Sequence, residues 1–144
     1  MNPIIEGQPV LKPQTARLEV LVRAQVRAYS EEAALRGEEL FMSVAGESRP
    51  VCGDAERLSR AIGGLFESAV RFSAPGARLE AGVGFGVTQA VVSVGIEGDA
   101  VLEAERCGVL HASLADAREI LEGCGGSLRI SGRWLSAFVP VARA

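Results

Sequence analysis

The sequence contains very little lysine, histidine or aromatic residue. Lys12 is the only lysine, His111 is the only histidine, and aromatic residues make up 5% of the chain. The formal net charge is −3, and the basic residues form no cluster. Nonspecific nucleic-acid binding depends on a concentrated basic face that can neutralise phosphates. The composition therefore argues against a nucleic-acid partner.

Paired cysteines and long apolar runs are also missing. The three cysteines, Cys52, Cys107 and Cys124, are odd in number and form no CxxC motif, which argues against a disulfide framework or a cysteine metal site. No run approaches the roughly 18 apolar residues of a membrane span. The first residues lack the basic and apolar regions of a signal peptide. We therefore expect a cytoplasmic chain without a membrane segment.

What is present suits one globular domain. The chain has 144 residues, of which 48% are hydrophobic, enough for a substantial core. Residues 1–14 contain three prolines and show no periodicity, so we expect an extended lead-in. Residues 15–144 are predicted to form the domain.

Three segments have the periodicity of helices. The first is predicted to begin at Thr15 as its N-cap and to end at Gly37. The second begins at Asp54 as its N-cap and the third near Ser113, and a glycine-containing turn follows each. In the first helix the apolar side chains recur every three or four residues: Leu18, Val22, Val26, Tyr29 and Ala33.

Alternating apolar residues predict the strands. One strand is expected at 40–45, a hairpin at 79–85 and 90–96, and a second hairpin at 127–131 and 135–139. Helices and hairpins in this order favour an α+β fold. We predict a two-layer α/β sandwich in which a mixed sheet of about five strands carries three helices on one face.

Several phrases resemble, in order and spacing, the ATP-binding catalytic domain of sensor histidine kinases, the GHKL or Bergerat fold. GDAERL at 53–58 is similar to the entry of the family's central helix, and LFESAVRFS at 65–73 to the helix itself. APG at 74–76, ILEGCGGSL at 120–128 and SAFVPV at 136–141 are similar to the following turn, closing helix and last strand. The resemblance covers nearly the whole chain and implies the Bergerat fold.

The lead-in extends this resemblance. The phrase IEGQ at 5–8 is similar to the end of the phosphoacceptor hairpin that precedes the catalytic domain in these kinases. The resemblance implies that residues 1–14 follow an upstream hairpin and that the chain is part of a longer sensor protein.

The family holds Mg-ATP with an asparagine on the central helix, and here Ser68 stands at that position. Magnesium prefers oxygen ligands, and a serine hydroxyl is shorter and poorer than an amide carbonyl. A second asparagine of the family is matched by Gly64. Arg71 matches a basic residue near the phosphates and retains the ability to attract an anion.

The family's DxGxG motif binds adenine through its aspartate. The matching residues are Ile96 for the aspartate, Gly98 for the first glycine and Ala100 for the second. Ile96 cannot accept a hydrogen bond from the adenine amino group. A shifted register would offer Glu97 or Asp99 instead, although Glu97 should point to the opposite face of the strand from Ile96.

The phosphate-binding glycine loop of the family is matched by His111, Ala112, Ser113 and Leu114. Two of its glycines are replaced, and the preceding segment leaves little room for a lid over ATP. His111 has no acidic neighbour of the kind found beside a phosphoacceptor histidine. We interpret it as an ordinary loop or helix-start residue.

We therefore predict a degenerate domain that binds ATP and Mg weakly or not at all, has no catalytic residues, and keeps a vestigial cleft at Ser68, Arg71, Ile96, Gly98 and His111. As part of a sensor histidine kinase or a histidine phosphotransferase-like protein, it would act in two-component signalling through protein contacts. The resemblance implies a response-regulator receiver or a kinase dimerisation hairpin as partner, or a homodimer. The alternatives are a divergent but active kinase domain and a small-ligand sensor that uses the vacated cleft.

Overall fold

The computed structural model describes residues 14–96, 112 and 114–142, which contain three helices and seven strands. A five-stranded sheet has the order β2-β4-β5-β7-β6, and β1 pairs with β3 in a separate two-stranded sheet. The elements are β1 (Thr15–Ala16), α1 (Leu18–Leu35), β2 (Glu39–Ala45), β3 (Val51–Cys52), α2 (Ala55–Phe72), β4 (Arg78–Phe85), β5 (Gln89–Ile96), α3 (Ala115–Gly123), β6 (Ser127–Ser131) and β7 (Trp134–Pro140).

The large sheet is mixed because β2 and β4 run parallel while the other neighbours are antiparallel. Parallel neighbours cannot be joined by a tight turn, and here α2 lies in the connection between them. The two predicted hairpins, β4–β5 and β6–β7, are confirmed with their turns.

The helices cover one face of the sheet, as predicted. Alternate residues of β4, β5 and β7 point toward the helices and are buried, whereas their neighbours point outward and are partly exposed. From α2 the core receives a continuous apolar set: Leu58, Ala61, Ile62, Leu65, Phe66, Ala69 and Val70. Burial of apolar area contributes about 25 cal/mol per Å², so this layer is the main source of stability.

Two of the predicted helix ends, Asp54 and Gly37, are confirmed. Asp54 caps α2, since its carboxylate accepts a hydrogen bond of 3.1 Å from the Glu56 backbone N–H. Gly37 ends α1 with a φ of 73°, while the N–H groups of Gly37 and Glu38 bond to carbonyls in the last turn. The predicted N-cap at Thr15 is wrong. Thr15 pairs with Cys52 in the small sheet, and α1 begins after Arg17.

The small sheet fastens both described ends of the chain to the segment before α2. Gly53 donates to the carbonyl of Gln14 at 2.9 Å, and Ala142 donates to Pro50 at the same distance. Val51 also forms a bridge with Val141. A two-residue strand has no alternation to detect, which explains why the sequence patterns missed β1 and β3.

A buried acidic group joins α1, β2 and the end of α2. The Glu38 side chain is fully buried and pairs with Arg36 at 3.2 Å. Ser73 donates its hydroxyl to the same carboxylate, while Arg36 donates to the Ser73 carbonyl at 2.6 Å. A buried carboxylate requires such partners because desolvation of a bare charge is costly.

No helix in the described part of the chain is long and apolar enough to cross a membrane.

We expect Ser73→Ala to destabilise the fold by about 1.5–3 kcal/mol, the usual value of a hydrogen bond to a charged group. Urea denaturation would measure the change against Ser30→Ala on the exposed side of α1, for which a change within about 0.5 kcal/mol is expected. Equal effects of the two variants would contradict a structural role for the Glu38–Ser73 contact.

Candidate functional site

The resemblance places the vestigial cleft between α2, the end of β5 and the start of α3. Two of its five residues, Gly98 and His111, lie outside the described residues, as do Glu97, Asp99, Ala100 and Ser113. The described members are Ser68 and Arg71 on α2 and Ile96 on β5, and Leu114 precedes α3. Their positions decide what this end of the fold offers a ligand.

Ser68 and Arg71 lie on the same helix but in different environments. Ser68 is 1% exposed and is one of three buried polar residues among those described. Arg71 is exposed, and its guanidinium lies 5.5 Å from the centre of the Phe72 ring. Of these two residues, Arg71 is the one that presents its polar group to solvent.

Ile96 ends β5 and belongs to the core. It is 0% exposed, pairs with Leu79, and donates its backbone N–H to the carbonyl of Arg133 at 3.0 Å. It follows the inward alternation of the strand through Val92 and Val94. The position that the resemblance matches to the adenine-binding aspartate therefore carries a buried aliphatic side chain that cannot accept a hydrogen bond.

The residue that precedes α3 is also apolar. Leu114 is fully buried and provides no side-chain cap. Gly64, which matches the second asparagine of the kinase motif, lies where α2 meets α3, since a Cβ there would be 3.6 Å from the Ala117 Cβ. Within the described residues no group of three histidine, cysteine or acidic side chains could hold a metal ion.

A second site lies on the outward side of α2 and was not predicted. This groove, of about 600 Å³, runs over Gly63 and Gly64 between α1 and α3. At one wall Arg60 donates two hydrogen bonds, of 2.9 and 3.0 Å, to Asp116. The hydrogen bond to Asp116 raises the pKa of Arg60. These residues are far apart in sequence, and no local pattern links them.

The other wall of the groove contains Gln25 and Tyr29 of α1. Gln25 donates to the Ser59 hydroxyl at 3.1 Å, which fixes α1 against α2. Partial burial raises the pKa of Tyr29, and the negative charges of Glu67 and Glu32 raise it further. The groove is mixed in charge and separate from Ser68, which does not line it.

Comparison with known proteins gives matches only at the level of structure. No family model and no curated protein matches the sequence. A histidine kinase from Burkholderia phymatum STM815 superposes with a TM-score of 0.74 at 21% identity, covering 92% of this chain and 73% of that one. The catalytic domain of the histidine kinase ThkA gives 0.72 at 16%, covering 91% and 97%.

Full-length ShkA in complex with AMPPNP gives a TM-score of 0.70 at 18% identity, covering 96% of this chain and 34% of that protein. The chain has the fold of a histidine kinase catalytic domain. This result confirms the fold that the sequence phrases predicted. At sequence identities this low, the structural similarity to kinase catalytic domains establishes a common fold and nothing further.

The environment of Ile96 leads to a stability prediction. Ile96→Asp should destabilise this kinase-like fold by about 3–5 kcal/mol because it buries an unpaired charge. Ile96→Val should cost only about 0.5–1.5 kcal/mol. Urea denaturation would compare the free energies of unfolding of the two variants. A small loss of stability in the aspartate variant would contradict the burial of this position.

Tyr29 provides an optical test of the α1–α2 contact because it is the only tyrosine. Its absorbance titration should have a midpoint above the ordinary value of 10.0. Glu67→Gln should lower that midpoint, whereas Glu31→Gln, an exposed change on α1, should not. The folded phenol keeps its proton at higher pH than the unfolded one, so stability should fall as pH rises through this range.

Proposed function

We propose that this chain is a histidine-kinase-type ATP-binding domain that has lost nucleotide binding and acts in two-component signalling through protein contacts. The observation that carries the proposal is the full burial of Ile96 at the end of β5. In the kinase pattern this position holds the adenine-binding aspartate. Here it completes the core beneath α2.

The energetic consequence of the losses is large because they act together. A buried adenine amino group without an acceptor costs about 1–3 kcal/mol, and weaker magnesium coordination at Ser68 adds a similar penalty. The replaced glycines of the phosphate loop are a third loss. Together the three losses would lower the affinity for Mg-ATP by several powers of ten.

Isothermal titration calorimetry with Mg-ATP and Mg-ADP tests this proposal directly. We expect no saturable heat at millimolar nucleotide. ShkA, whose solved complex contains AMPPNP, provides a matched positive control for the fold. Micromolar binding by the present chain would contradict the loss of nucleotide binding and favour a divergent but active kinase domain.

The proposed partners are a response-regulator receiver or a kinase dimerisation hairpin, with a cytoplasmic location. Support comes from a fold shared with the cytoplasmic segment of the histidine kinase QseC. A domain that no longer turns over ATP retains its surfaces, and those surfaces are what a signalling partner would contact.

A further inference from the structure

The outward face of the large sheet combines a floor of small side chains with aromatic walls. The floor crosses four strands in register and contains Ser43, Gly82, Ser93 and Ser136. Across the strands, these residues form a shallow trough whose floor has no bulky side chain.

One wall of the trough is formed by Phe41, Glu80 and Trp134, two residues along the strands from the floor. The Trp134 ring rests on Gly95, where a Cβ would lie 2.5 Å from a ring carbon. A depression of about 310 Å³ opens beside this wall. Phe41 is 38% exposed, so this face is open.

The opposite wall is formed by Val91 and Phe138, two residues along the strands on the other side of the floor. A second depression, of about 450 Å³, lies beside them over Ala45 and Gly84. The two walls are four residues apart, roughly 13 Å at 3.3 Å per residue. An α-helix is about 10–12 Å across, so one helix covers the floor and reaches both walls.

Three arginines are stacked on the aromatic residues of this face. Arg78 lies 4.1 Å from the centre of the Phe41 ring, Arg133 4.8 Å from Trp134 and Arg129 5.8 Å from Phe138. Glu80 is contacted by both Arg78 and Arg133, at 3.7 and 2.7 Å. The exposed Glu39 is the other acidic residue on this face in the described sheet, so the face has a positive excess on a chain of net charge −3.

We propose that this outer sheet face docks one amphipathic helix of a partner protein, lying across the strands with its apolar stripe in the trough and acidic residues beside the arginines. The proposal rests on the protein-contact part of the proposed function and names the surface and the partner's chemistry. A nucleic acid fits less well, because the stacked guanidiniums and Gly95 occupy ring faces that bases would need.

Trp134 is the only tryptophan and lies in the wall, so its fluorescence reports directly on the trough. The probes are two designed helical peptides of about 18 residues without tryptophan or tyrosine, roughly 27 Å long. Both carry the same alanine and leucine stripe, flanked by glutamate in one and lysine in the other. We expect the glutamate peptide to shift the Trp134 emission saturably and to bind about tenfold more tightly than the lysine peptide.

Ser136→Phe should reduce binding of the glutamate peptide about tenfold or more by filling the floor, whereas Ser30→Phe on the exposed side of α1 should leave it unchanged. Gly82→Leu is a second floor variant, since a Cβ there meets only the Ser43 hydroxyl, at 3.7 Å. Thermal unfolding would show which floor variant remains folded. Arg129→Glu should reverse the preference between the two peptides.

Four outcomes would overturn the proposal: no saturable shift with either peptide, equal affinity for both, equal binding by the floor variants and Ser30→Phe, or a shift caused by oligothymidylate instead. A shift that depends on protein concentration alone would assign the face to a second copy of the chain and also overturn it. Calorimetry with Mg-ATP tests nucleotide binding separately. The proposed loss of nucleotide binding and the proposed helix docking can therefore fail independently.

Discussion

The packing of α2 against the central strands is the constraint on which the rest of the structure depends. Its buried residues cover β5 and β7, and its two ends are fixed by Asp54 and by the Glu38–Ser73 contact. Because one side of α2 packs against the core, the Ser68 side chain is buried and the Arg71 side chain is exposed. The helix thus sets both the interior beneath the vestigial cleft and the groove on its outward side.

Histidine kinase catalytic domains and this chain share an architecture, but a shared architecture does not establish a shared activity. The same strand end can place an aspartate against a nucleotide base or an isoleucine in a core. In this chain the buried Ile96 adds to the hydrophobic packing at the end of β5, at the position that the resemblance matches to the adenine-binding aspartate.

The elements with strong local periodicity were predictable from sequence, and so was their assembly into one mixed sheet. The stripes of α1 and α2 and the alternation of β4 and β5 determine which side of each element is buried. The small β1–β3 sheet was not predictable, because strands of two residues show no alternation and each pairs with a segment far away in the chain. Thr15 has the chemistry of an N-cap, yet pairing with Cys52 takes precedence over that local preference.

The site was predictable only where it depends on residue identity. The sequence shows an isoleucine at the position that the resemblance matches to the adenine-binding aspartate, whereas the complete burial of Ile96 needed the sheet register. The groove at Arg60 and Asp116 depends on two helices meeting over adjacent glycines, and that is a tertiary property. The trough likewise arises from small residues on four strands that lie far apart in the chain.

The attachment of both described ends to residues 50–53 has a mechanical consequence. Gln14 and Ala142, the first and last described residues, both bond to this segment. A twist or pull applied through either connection would be transmitted to the first turn of α2 by a few backbone hydrogen bonds. A force applied at either described end would then act at one place, the base of the helix that organises the core.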